Sequence, residues 1–389
     1  MFDATDWGYP NAIWFGTQRS QDLPLACNTL AISAPLLITD QGLADLDIIQ
    51  ELAASLRGAG LNLSVFSGVQ GNPTGANVEA GVAAFRAGNC DGVIAVGGGS
   101  ALDVGKTVAL MARQESSLWN FADMEAEPMM LAPEVLVPVV AVPTTAGTGS
   151  EVGRAAVILD QNKHSKRVLW HPSMLPNLVI SDPSLTVGLP ANITAWTGID
   201  ALVHALEAFM SPNFHPMSQG IAVEAIRMIS KWLPEAVADG SNLEARGNML
   251  VAASMGAVAF QKGLGSIHSV SHVIGGLYNT HHGLTNAIVL PFGVKQNMGA
   301  VTDRLAYLSR VLQLPGGDAN AFLDFLLAFR QQLDIPENLA ALDVDESRAE
   351  EVGRIAEQDP CTATNAKPID AAGLETLFRA AVRGDLAML

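Results

Sequence analysis

The chain has 389 residues, of which 49% are hydrophobic and 16% are charged, and its formal net charge is −17. This composition is typical of a folded protein with a large core, and the length favours two domains over one. The acidic balance disfavours binding to nucleic acid or to an anionic membrane surface. The low charged fraction favours a homodimer or a larger homo-oligomer, because part of the apolar surface would then be covered.

Cysteine usage and the apolar segments predict a cytoplasmic protein. Cys27, Cys90 and Cys361 are far apart and form no CxxC spacing, which argues against a disulfide framework and against a thiolate zinc site. The amino-terminal residues MFDATDWGYP contain no basic segment followed by an apolar one, so we expect no signal peptide. No apolar run is long enough to predict a transmembrane helix.

Short apolar runs alternate with helical stretches between about residues 34 and 183. Each run ends in Gly, Asp, Ser or Pro, as buried strands of a parallel sheet do. The strand candidates are APLLITD (34–40), NLSVFSGV (62–69), GVIAVGGGS (92–100), VPVVAVPTT (137–145) and NLVISDP (177–183). This alternation predicts an N-terminal α/β domain with a Rossmann-like, doubly wound and mostly parallel sheet.

The strand signal fades after VGLPANITAWTG (187–198). Long segments with helical periodicity follow, among them AVEAIRMISKWLPEAVADG, ARGNMLVAASMGAVAFQKG and ANAFLDFLLAFRQQL. We therefore expect an all-α C-terminal domain, with residues 1–187 in the α/β domain and residues 188–389 in the helical one.

Two glycine-rich turns follow predicted strands and are candidates for binding a nucleotide. AVGGGSALDVGK (95–106) runs from a strand through three glycines into a helix that begins near Ser100. Backbone N–H groups and the helix dipole attract phosphate at such a junction, although the sequence is neither GxGxxG nor a Walker loop. VPTTAGTGSEV (142–152) supplies a second loop of hydroxyl groups and glycines. Such loops bind nucleotides in open α/β sheets, and the alternative is two unrelated tight turns.

Asp40 ends the first of these predicted strands. An acidic side chain there could accept hydrogen bonds from the ribose 2′-hydroxyl of adenosine and would repel a 2′-phosphate, which would favour NAD over NADP. It could equally be an ordinary cap for the helix that follows.

The segment GIDALVHALEA (198–208) reads as a buried helix, yet it carries Asp200 and His204 one turn apart on the same face. Burying a carboxylate costs several kcal/mol unless a partner compensates for it. The sequence therefore predicts a partner for Asp200.

A second segment, GLGSIHSVSHVIGGLYNTHHGLTN (263–286), offers such partners. His268 and His272 repeat the i, i+4 spacing, and the adjacent pair His281 and His282 follows. One carboxylate and several imidazoles suit a divalent first-row metal such as Fe²⁺ or Zn²⁺. Spacing alone does not say which histidines bind, and a solitary histidine on an apolar helix is usually an ordinary core residue.

These motifs, in this order, resemble those of group III iron-containing (metal-dependent) alcohol dehydrogenases, which have a dehydroquinate synthase-like architecture. The resemblance covers almost the whole chain, from LLITD through GGGSALDVGK, PTTAGTGSEV, GIDALVHALEA and GLGSIHSVSH to HHGLTNAIVLPF. It implies that residues 1–187 bind NAD and that residues 188–389 bind Fe²⁺, with Zn²⁺ as the alternative. In such enzymes the cation polarises the substrate oxygen, and hydride moves directly between the substrate and the nicotinamide.

The resemblance also implies roles for single residues. The metal ligands fall on Asp200, His204, His268 and His282. His272 would lie near the nicotinamide and is the candidate catalytic residue that relays the hydroxyl proton, with simple packing beside the ring as the alternative. The dinucleotide-contacting positions fall on Asp40, Asn72, Gly97, Gly98, Gly99, Ser100, Asp103, Thr144, Thr145, Thr148 and Lys166. Lys166 matches more loosely, because the cluster KHSKR permits another register.

The substrate is less well defined. AFQKGLGSIH is one residue shorter than the FSNxGLGxxH form that is common in propanediol and lactaldehyde reductases. Together with CTATNAKP (361–368), it looks more like the 4-hydroxybutyrate dehydrogenase branch. The implied reaction interconverts a small primary alcohol or hydroxy acid and its aldehyde, possible substrates being 4-hydroxybutyrate and succinate semialdehyde, with 1,3-propanediol, lactaldehyde or another short-chain alcohol as alternatives.

Other classes of function compete with this interpretation. A dehydroquinate synthase-like lyase or a glycerol-phosphate dehydrogenase would need basic residues for a substrate phosphate near the metal, and residues 198–286 contain few Lys or Arg. A metal-dependent hydrolase or a non-catalytic nucleotide sensor would not oxidise NADH in the presence of an aldehyde.

Overall fold

The computed structural model of the chain describes residues 7–122, 130–163 and 165–389. The first six residues of the segment in which we expect no signal peptide lie outside the described residues. Among the described residues the strands are β1 (Ala12–Phe15), β2 (Pro35–Asp40), β3 (Ser64–Val69), β4 (Gly92–Gly97), β5 (Val139–Pro143), β6 (Ala155–Asp160), β7 (Ser165–Trp170) and β8 (Leu178–Ser181).

Six of these strands form one parallel sheet in the order β1-β8-β5-β4-β2-β3. The inner strands β2, β4 and β5 are buried along nearly their whole length. Strands covered on both faces need continuous apolar sequence, which is why each reads as an unbroken run of Val, Ile, Leu and Ala. The predicted parallel sheet and its five strands are confirmed.

Three strands were not predicted. The edge strand β1 is short and largely exposed, so its sequence AIWF lacks the flanks of a buried strand. The strands β6 and β7 form a separate antiparallel hairpin in which Leu159 pairs with Lys166. Strand β7 begins SKR, so it lacks the unbroken apolar run of the inner strands.

The helices of the α/β part are α1 (Leu23–Thr29), α2 (Asp47–Gly58), α3 (Gly75–Ala87) and α4 (Gly99–Met111). The helices of the second half are α5 (Ala191–Met210), α6 (Pro216–Ala238), α7 (Leu243–Ala259), α8 (Ser266–Tyr278), α9 (His282–Val311), α10 (Ala319–Gln332), α11 (Ala349–Glu357) and α12 (Ala371–Arg383). Helix α9 is kinked at Val301, where φ is −129°. The described residues after Leu189 contain no strand, so the predicted helical half is confirmed.

The chain divides into two compact units. One is Tyr9–Leu189, and the other is Pro190–Leu389 together with Trp7 and Gly8. The predicted boundary after residue 187 lies two residues before the observed one, at Leu189. The assignment of Trp7 and Gly8 to the α/β domain is wrong, because the Trp7 ring stacks on His215 at 4.4 Å and the Gly8 N–H donates to Gln261 Oε1 at 3.0 Å.

Within the described residues, no single helix is both long and apolar enough to cross a bilayer. Only Leu243–Lys262 and Ser266–Tyr278 taken together meet that test, and the two are bent by 107° relative to each other.

Candidate metal and nucleotide sites

Helix α5 is central to the helical unit, and it holds two of the predicted metal ligands. It is buried on nearly all sides, as its continuous apolar sequence requires. Asp200 and His204 lie one turn apart on it, and they are only 2% and 5% exposed. Both polar side chains are therefore directed into the interior.

Two glycines let the neighbouring helices approach α5. A Cβ at Gly283, the second residue of α9, would lie 2.6 Å from the carbonyl oxygen of Trp196 on α5. A Cβ at Gly265, just before α8, would lie 2.9 Å from Glu207 Oε1. Since real side chains do not tolerate such distances, glycine at both positions allows the ends of α8 and α9 to reach the buried face of α5.

This close approach brings the predicted ligands together. Ligand atoms of Asp200, His204 and His268 all lie within 4.8 Å of one another. Asp200 Oδ1 is 3.9 Å from His268 Nε2 and 3.6 Å from His282 Nε2. The rings of His204 and His268 stack at 4.7 Å between centroids. The four side chains, which come from three helices, thus form one cluster.

The chemistry of this cluster fits a divalent cation. Burial, reinforced by the proximity of His204, holds the pKa of His268 well below its usual value, so the imidazole is neutral and keeps a lone pair. Nδ1 of His204 is buried and has no hydrogen-bond partner in the part of the chain that the structure describes. A buried carboxylate beside a neutral imidazole is costly when unpaired, and a cation with oxygen and nitrogen ligands would compensate for that cost.

Glu207 orients one of these ligands. Its Oε2 lies 2.6 Å from His268 Nδ1, and its Oε1 accepts from the N–H of Ile267 at 2.8 Å. A carboxylate on Nδ1 fixes the ring so that Nε2 faces Asp200, an arrangement common around metal-binding histidines. Burial raises the pKa of Glu207 to about 7, against the effect of the N–H bonds. Its spacing of seven residues from Asp200 is the sequence signal that we missed.

Asn286 is a second residue that the sequence reasoning missed. It is fully buried on α9, and its Nδ2 donates to Asp200 Oδ1 at 2.7 Å. The same atom lies 3.2 Å from His268 Nε2 and 3.1 Å from His282 Nε2. The amide therefore contacts three of the four clustered side chains, and its position four residues after His282 on the same helix face explains why.

His272, the candidate catalytic residue, has its own carboxylate partner. Its Nδ1 lies 2.8 Å from Oδ2 of Asp359, a residue in the segment after α11. Burial opposes ionisation of Asp359, but the charge of His272 and its hydrogen bond hold the pKa of that carboxyl below its usual value. The His272 ring also stacks on the His282 ring at 5.4 Å. Only the fold brings Asp359 to His272, so no local spacing could have predicted the pair.

In the α/β unit, the turn between β4 and α4 contains three glycines, and they differ in whether the protein's own structure requires glycine. Gly97 has φ of +146°, which side chains other than glycine rarely adopt. A Cβ at Gly99 would lie 2.6 Å from Thr148 Cγ2. Gly98 has an ordinary φ of −76°, and a Cβ there would meet only Thr145, at 3.4 Å. Neither the backbone nor internal packing therefore requires glycine at position 98.

The loops after four neighbouring strands meet around this turn. The N–H of Thr144 donates to Gly97 O at 3.0 Å, and Ser100 Oγ donates to the carbonyl oxygen of Gly71, beside Asn72, at 2.8 Å. A Cβ at Gly97 would also lie 3.1 Å from Asp40 Oδ2. The predicted positions Asp40, Asn72, Gly97, Gly98, Gly99, Ser100, Thr144, Thr145 and Thr148 thus share one end of the sheet. Helix α4 begins there without a side-chain cap, which leaves its first N–H groups for an anion.

Asp40 is a turn cap in this structure. Its Oδ1 accepts from the N–H groups of Gly42 and Leu43 at 2.9 and 3.0 Å. Burial raises the pKa of this carboxyl above its usual value, and the two N–H bonds oppose the shift. One oxygen therefore caps the turn after β2 and not the following helix, whose N-cap is Leu46, while the other oxygen faces the glycine turn.

Asp103 and Lys166 are not in these loops, since Asp103 lies on α4 and Lys166 on β7. Asp103 accepts from Ser150 Oγ and from the N–H of Val157 at 2.8 Å, and Lys106 Nζ is 3.3 Å away. These contacts attach α4 to the 144–152 loop and to β6, so Asp103 holds the loop in place. Lys166 lies on β7 of the hairpin.

Comparisons with known proteins agree with this arrangement. Residues 10–183 match the family "Iron-containing alcohol dehydrogenase", and residues 194–382 match "Fe-containing alcohol dehydrogenase family, C-terminal". The chain is 39% identical to 4-hydroxybutyrate dehydrogenase from Cupriavidus necator over 89% of its own length and 91% of that protein. A crystal structure of 1,3-propanediol oxidoreductase is 34% identical, with a TM-score of 0.92, and covers 98% of this chain and 100% of that one.

A further similar structure contains a bound dinucleotide. Sulfoacetaldehyde reductase from Bifidobacterium kashiwanohense in complex with NAD⁺ is 28% identical, with a TM-score of 0.86, over 97% of this chain and 99% of that one. All three proteins are dehydrogenases or reductases. The comparisons therefore favour the oxidoreductase hypothesis over the lyase, hydrolase and sensor alternatives.

Proposed function

This chain belongs to the iron-containing alcohol dehydrogenase family, and from that premise we propose that Asp200, His204, His268 and His282 hold its divalent cation. The enzyme is an NAD-dependent alcohol dehydrogenase. The observation that carries the proposal is the convergence of one carboxylate and three imidazoles from α5, α8 and α9 on one buried point. The ligand set suits Fe²⁺, and Zn²⁺ is the alternative because it accepts the same donors.

We propose that the glycine turn of the α/β unit binds the pyrophosphate of NAD. Gly98 supports this proposal, because no contact among the described residues explains the missing side chain there, whereas close approach of a phosphate does. Asp40 supports NAD over NADP through the oxygen that faces the turn. The preference for NAD is tested by the ratio of turnover with NADH to turnover with NADPH. Asp40→Ala should bring this ratio closer to one.

The chemistry divides between the bound groups and the chain. When bound, the cation supplies Lewis-acid polarisation of the substrate oxygen, and NAD(H) supplies or accepts the hydride. The chain's own part is to fix the ligand atoms. Glu207 holds the His268 ring, and Asn286 holds the Asp200 carboxylate.

We propose that His272 carries the hydroxyl proton and that Asp359 is its positioning residue. In the neutral form of the ring, the carboxylate favours the tautomer with the proton on Nδ1, and Nε2 then has a lone pair that can take up a proton. Asp359→Asn would remove the preference of the His272 ring for the tautomer with its proton on Nδ1 over the one with its proton on Nε2. In a double-mutant cycle with His272→Asn, the loss of kcat should be strongly non-additive, while KM and metal content stay constant.

For the substrate, we propose the pair 4-hydroxybutyrate and succinate semialdehyde. Its support is the similarity to the Cupriavidus necator enzyme and the shortened segment before His268. The similarity to 1,3-propanediol oxidoreductase supports the competing pair 1,3-propanediol and 3-hydroxypropanal.

The deciding experiment measures NADH consumption by the Fe²⁺-loaded enzyme with each aldehyde. A higher kcat/KM for succinate semialdehyde supports the first pair, and a higher value for 3-hydroxypropanal supports the second. Zn²⁺-loaded enzyme in parallel shows which metal supports turnover. Activity that survives verified removal of all metal would refute the proposed role of the cluster.

We also propose that the protein is a cytoplasmic homo-oligomer. The edge strand β1 supports self-association, because it exposes Ile13 and Phe15 by 37% and 50% beside an unpaired strand edge. The three free cysteines, Cys27, Cys90 and Cys361, agree with a reducing compartment. Sedimentation of wild type and Phe15→Glu tests the first point, and cell fractionation tests the second.

A further inference from the structure

A second group of metal-ligating side chains lies beside the Asp200 cluster. It consists of His272, Asp359 and Cys361, whose ligand atoms all lie within 4.8 Å of one another. The absence of CxxC spacing argued against a thiolate metal site. The fold nevertheless brings this thiol to a histidine that is 89 positions earlier in the sequence.

Asp359 holds the group together. One of its oxygens pairs with His272 Nδ1 at 2.8 Å, and the other accepts from the Cys361 N–H at 2.9 Å. The His272 and Asp359 side chains are each only 12% exposed. The stacking of the His272 ring on His282 further restricts its rotation. The His272 and Asp359 side chains are thus fixed in place and largely shielded from water, and Cys361 is partly buried beside them.

The two neighbouring clusters differ in the kind of cation that they suit. The Asp200 cluster offers oxygen and nitrogen only, whereas this one adds sulfur. Sulfur, nitrogen and oxygen together favour Zn²⁺, Co²⁺ or Cd²⁺ over hard cations such as Mg²⁺, and three protein ligands leave a fourth position for water. We propose that His272, Asp359 and Cys361 form a second, thiolate-containing site for such a cation.

Binding of a divalent cation at this site releases one proton and leaves the metal and its two anionic ligands with no net charge. Burial and the nearby carboxylates Asp359 and Glu207 hold the pKa of the Cys361 thiol well above its usual value, so the free site contains S–H. Binding breaks that S–H bond, forms a sulfur–metal bond and releases the proton to solvent. The thiolate and the carboxylate then neutralise the two positive charges, so the occupied site adds no net charge next to the Asp200 cluster.

Occupancy of the second site inhibits the enzyme. This consequence rests on the proposed function, in which His272 carries the proton and Asp359 positions the His272 ring. A cation bound to these atoms takes the lone pairs that the relay uses. Zn²⁺ in excess over the first equivalent should therefore lower turnover.

The test titrates the metal-free full chain with Co²⁺ and follows its absorption. A cobalt–thiolate bond gives a charge-transfer band in the near ultraviolet, which oxygen and nitrogen ligands do not give. Wild type should bind two equivalents of Co²⁺, and the band should grow with occupancy of the second site. Cys361→Ser should bind one equivalent and lose the band, whereas Cys90→Ser, the matched control at a buried cysteine of the α/β unit, should behave as wild type.

A variant of the Asp200 cluster distinguishes failure of the second-site proposal from failure of the proposed function. His204→Ala should lose the equivalent without sulfur and keep the band. Failure of the first cluster to bind metal would leave the band unaffected, so the two proposals fail independently. A wild-type chain without the band, or a band that persists in Cys361→Ser, would overturn the second site.

Inhibition is measured separately, as the turnover of each variant in excess Zn²⁺ relative to its own turnover in stoichiometric metal. Wild type and Cys90→Ser should lose turnover, and Cys361→Ser should keep it. Equal inhibition of wild type and Cys361→Ser would contradict the inhibitory role of the site.

Discussion

The candidate sites of the two units are formed by different chemical groups. In the α/β unit the site is mainly backbone, namely the ends of neighbouring strands and one glycine turn, all close to predicted strand ends in the sequence. In the helical unit the site consists of side chains, and His282 is 82 positions away from Asp200. A backbone site should be sensitive to an added methyl group and tolerant of many side-chain exchanges. A side-chain cluster should be sensitive to the loss of any ligand atom.

The largest effect should follow the removal of one ligand from the cluster. His204→Ala should lose the metal and lower kcat by about a thousandfold or more, because the Lewis-acid contribution is several kcal/mol. NADH binding should change little, since its proposed site lies in the other unit. Metal content, NADH affinity and kcat measured on one preparation check this prediction.

The matched control is His281→Asn, at a histidine next to a proposed ligand. The His281 ring caps α9 by accepting from the N–H of Leu284 at 3.3 Å, and asparagine can serve the same capping role. This variant should keep its metal and its turnover. Loss of metal from His281→Asn together with retention by His204→Ala would reverse the ligand assignment.

A smaller effect should follow from the residue that orients a ligand. Glu207→Gln removes the charge that accepts the His268 Nδ1 proton while keeping an oxygen for the Ile267 N–H. The metal affinity should fall by about 10- to 100-fold, as is usual for such carboxylates. Competition with a chelator measures it, and Glu244→Gln, at an exposed glutamate on α7, should show no change.

The corresponding test of the backbone site compares two neighbouring glycines. Gly98→Ala should weaken NADH binding by about tenfold, or about 1.4 kcal/mol, without lowering Tm, because its Cβ meets no internal obstacle. Gly99→Ala should lower Tm as well, since Thr148 must move. Gly188→Ala, where a Cβ has open space, is the control for both. Unchanged NADH affinity in Gly98→Ala would place the phosphate elsewhere.

The same contrast explains what could be predicted from the sequence. Five of the six parallel strands and the glycine turns are encoded by local patterns, and they were predicted at nearly the observed bounds. The ligand cluster was predicted largely through the resemblance of its motifs, because the spacing within α5 and α8 did not decide among the histidines. The first half of α9 was missed, since Pro291 and two glycines interrupt its helical pattern.

Residues that act through other residues were the ones the sequence did not reveal. Glu207 lies on a helix that was recognised, seven residues after Asp200, whereas Asn286 lies in the missed first half of α9, four residues after His282. Asp359 and Cys361 come from the irregular segment after α11, which carries no periodic signal. Their approach to His272 depends on how α8 and α11 pack, and that information is not local.

A separate expected effect concerns the free energy of unfolding, and it depends on a buried lysine of the helical unit. Lys106 in the α/β unit lies 3.3 Å from Asp103, whereas Lys262 in the helical unit donates to the carbonyl oxygens of Ala208 and Ser211 at the end of α5, next to a second cation, Arg304. Burial, together with the charge of Arg304, lowers the pKa of Lys262 to about 7 from a usual value of 10.5. Between these two values the unfolded chain binds the extra proton.

The free energy of unfolding should therefore rise with pH across this interval through Lys262, by up to about 1.4 kcal/mol per pH unit. The contribution is complete above the unfolded pKa and is lost as the pH falls through the folded one. Lys262→Met should flatten the slope, and the difference between the two denaturation series removes the contribution of other titrating groups. Parallel slopes would mean that Lys262 keeps its proton when buried, with the carbonyl oxygens at the end of α5 sufficient to stabilise two adjacent cations.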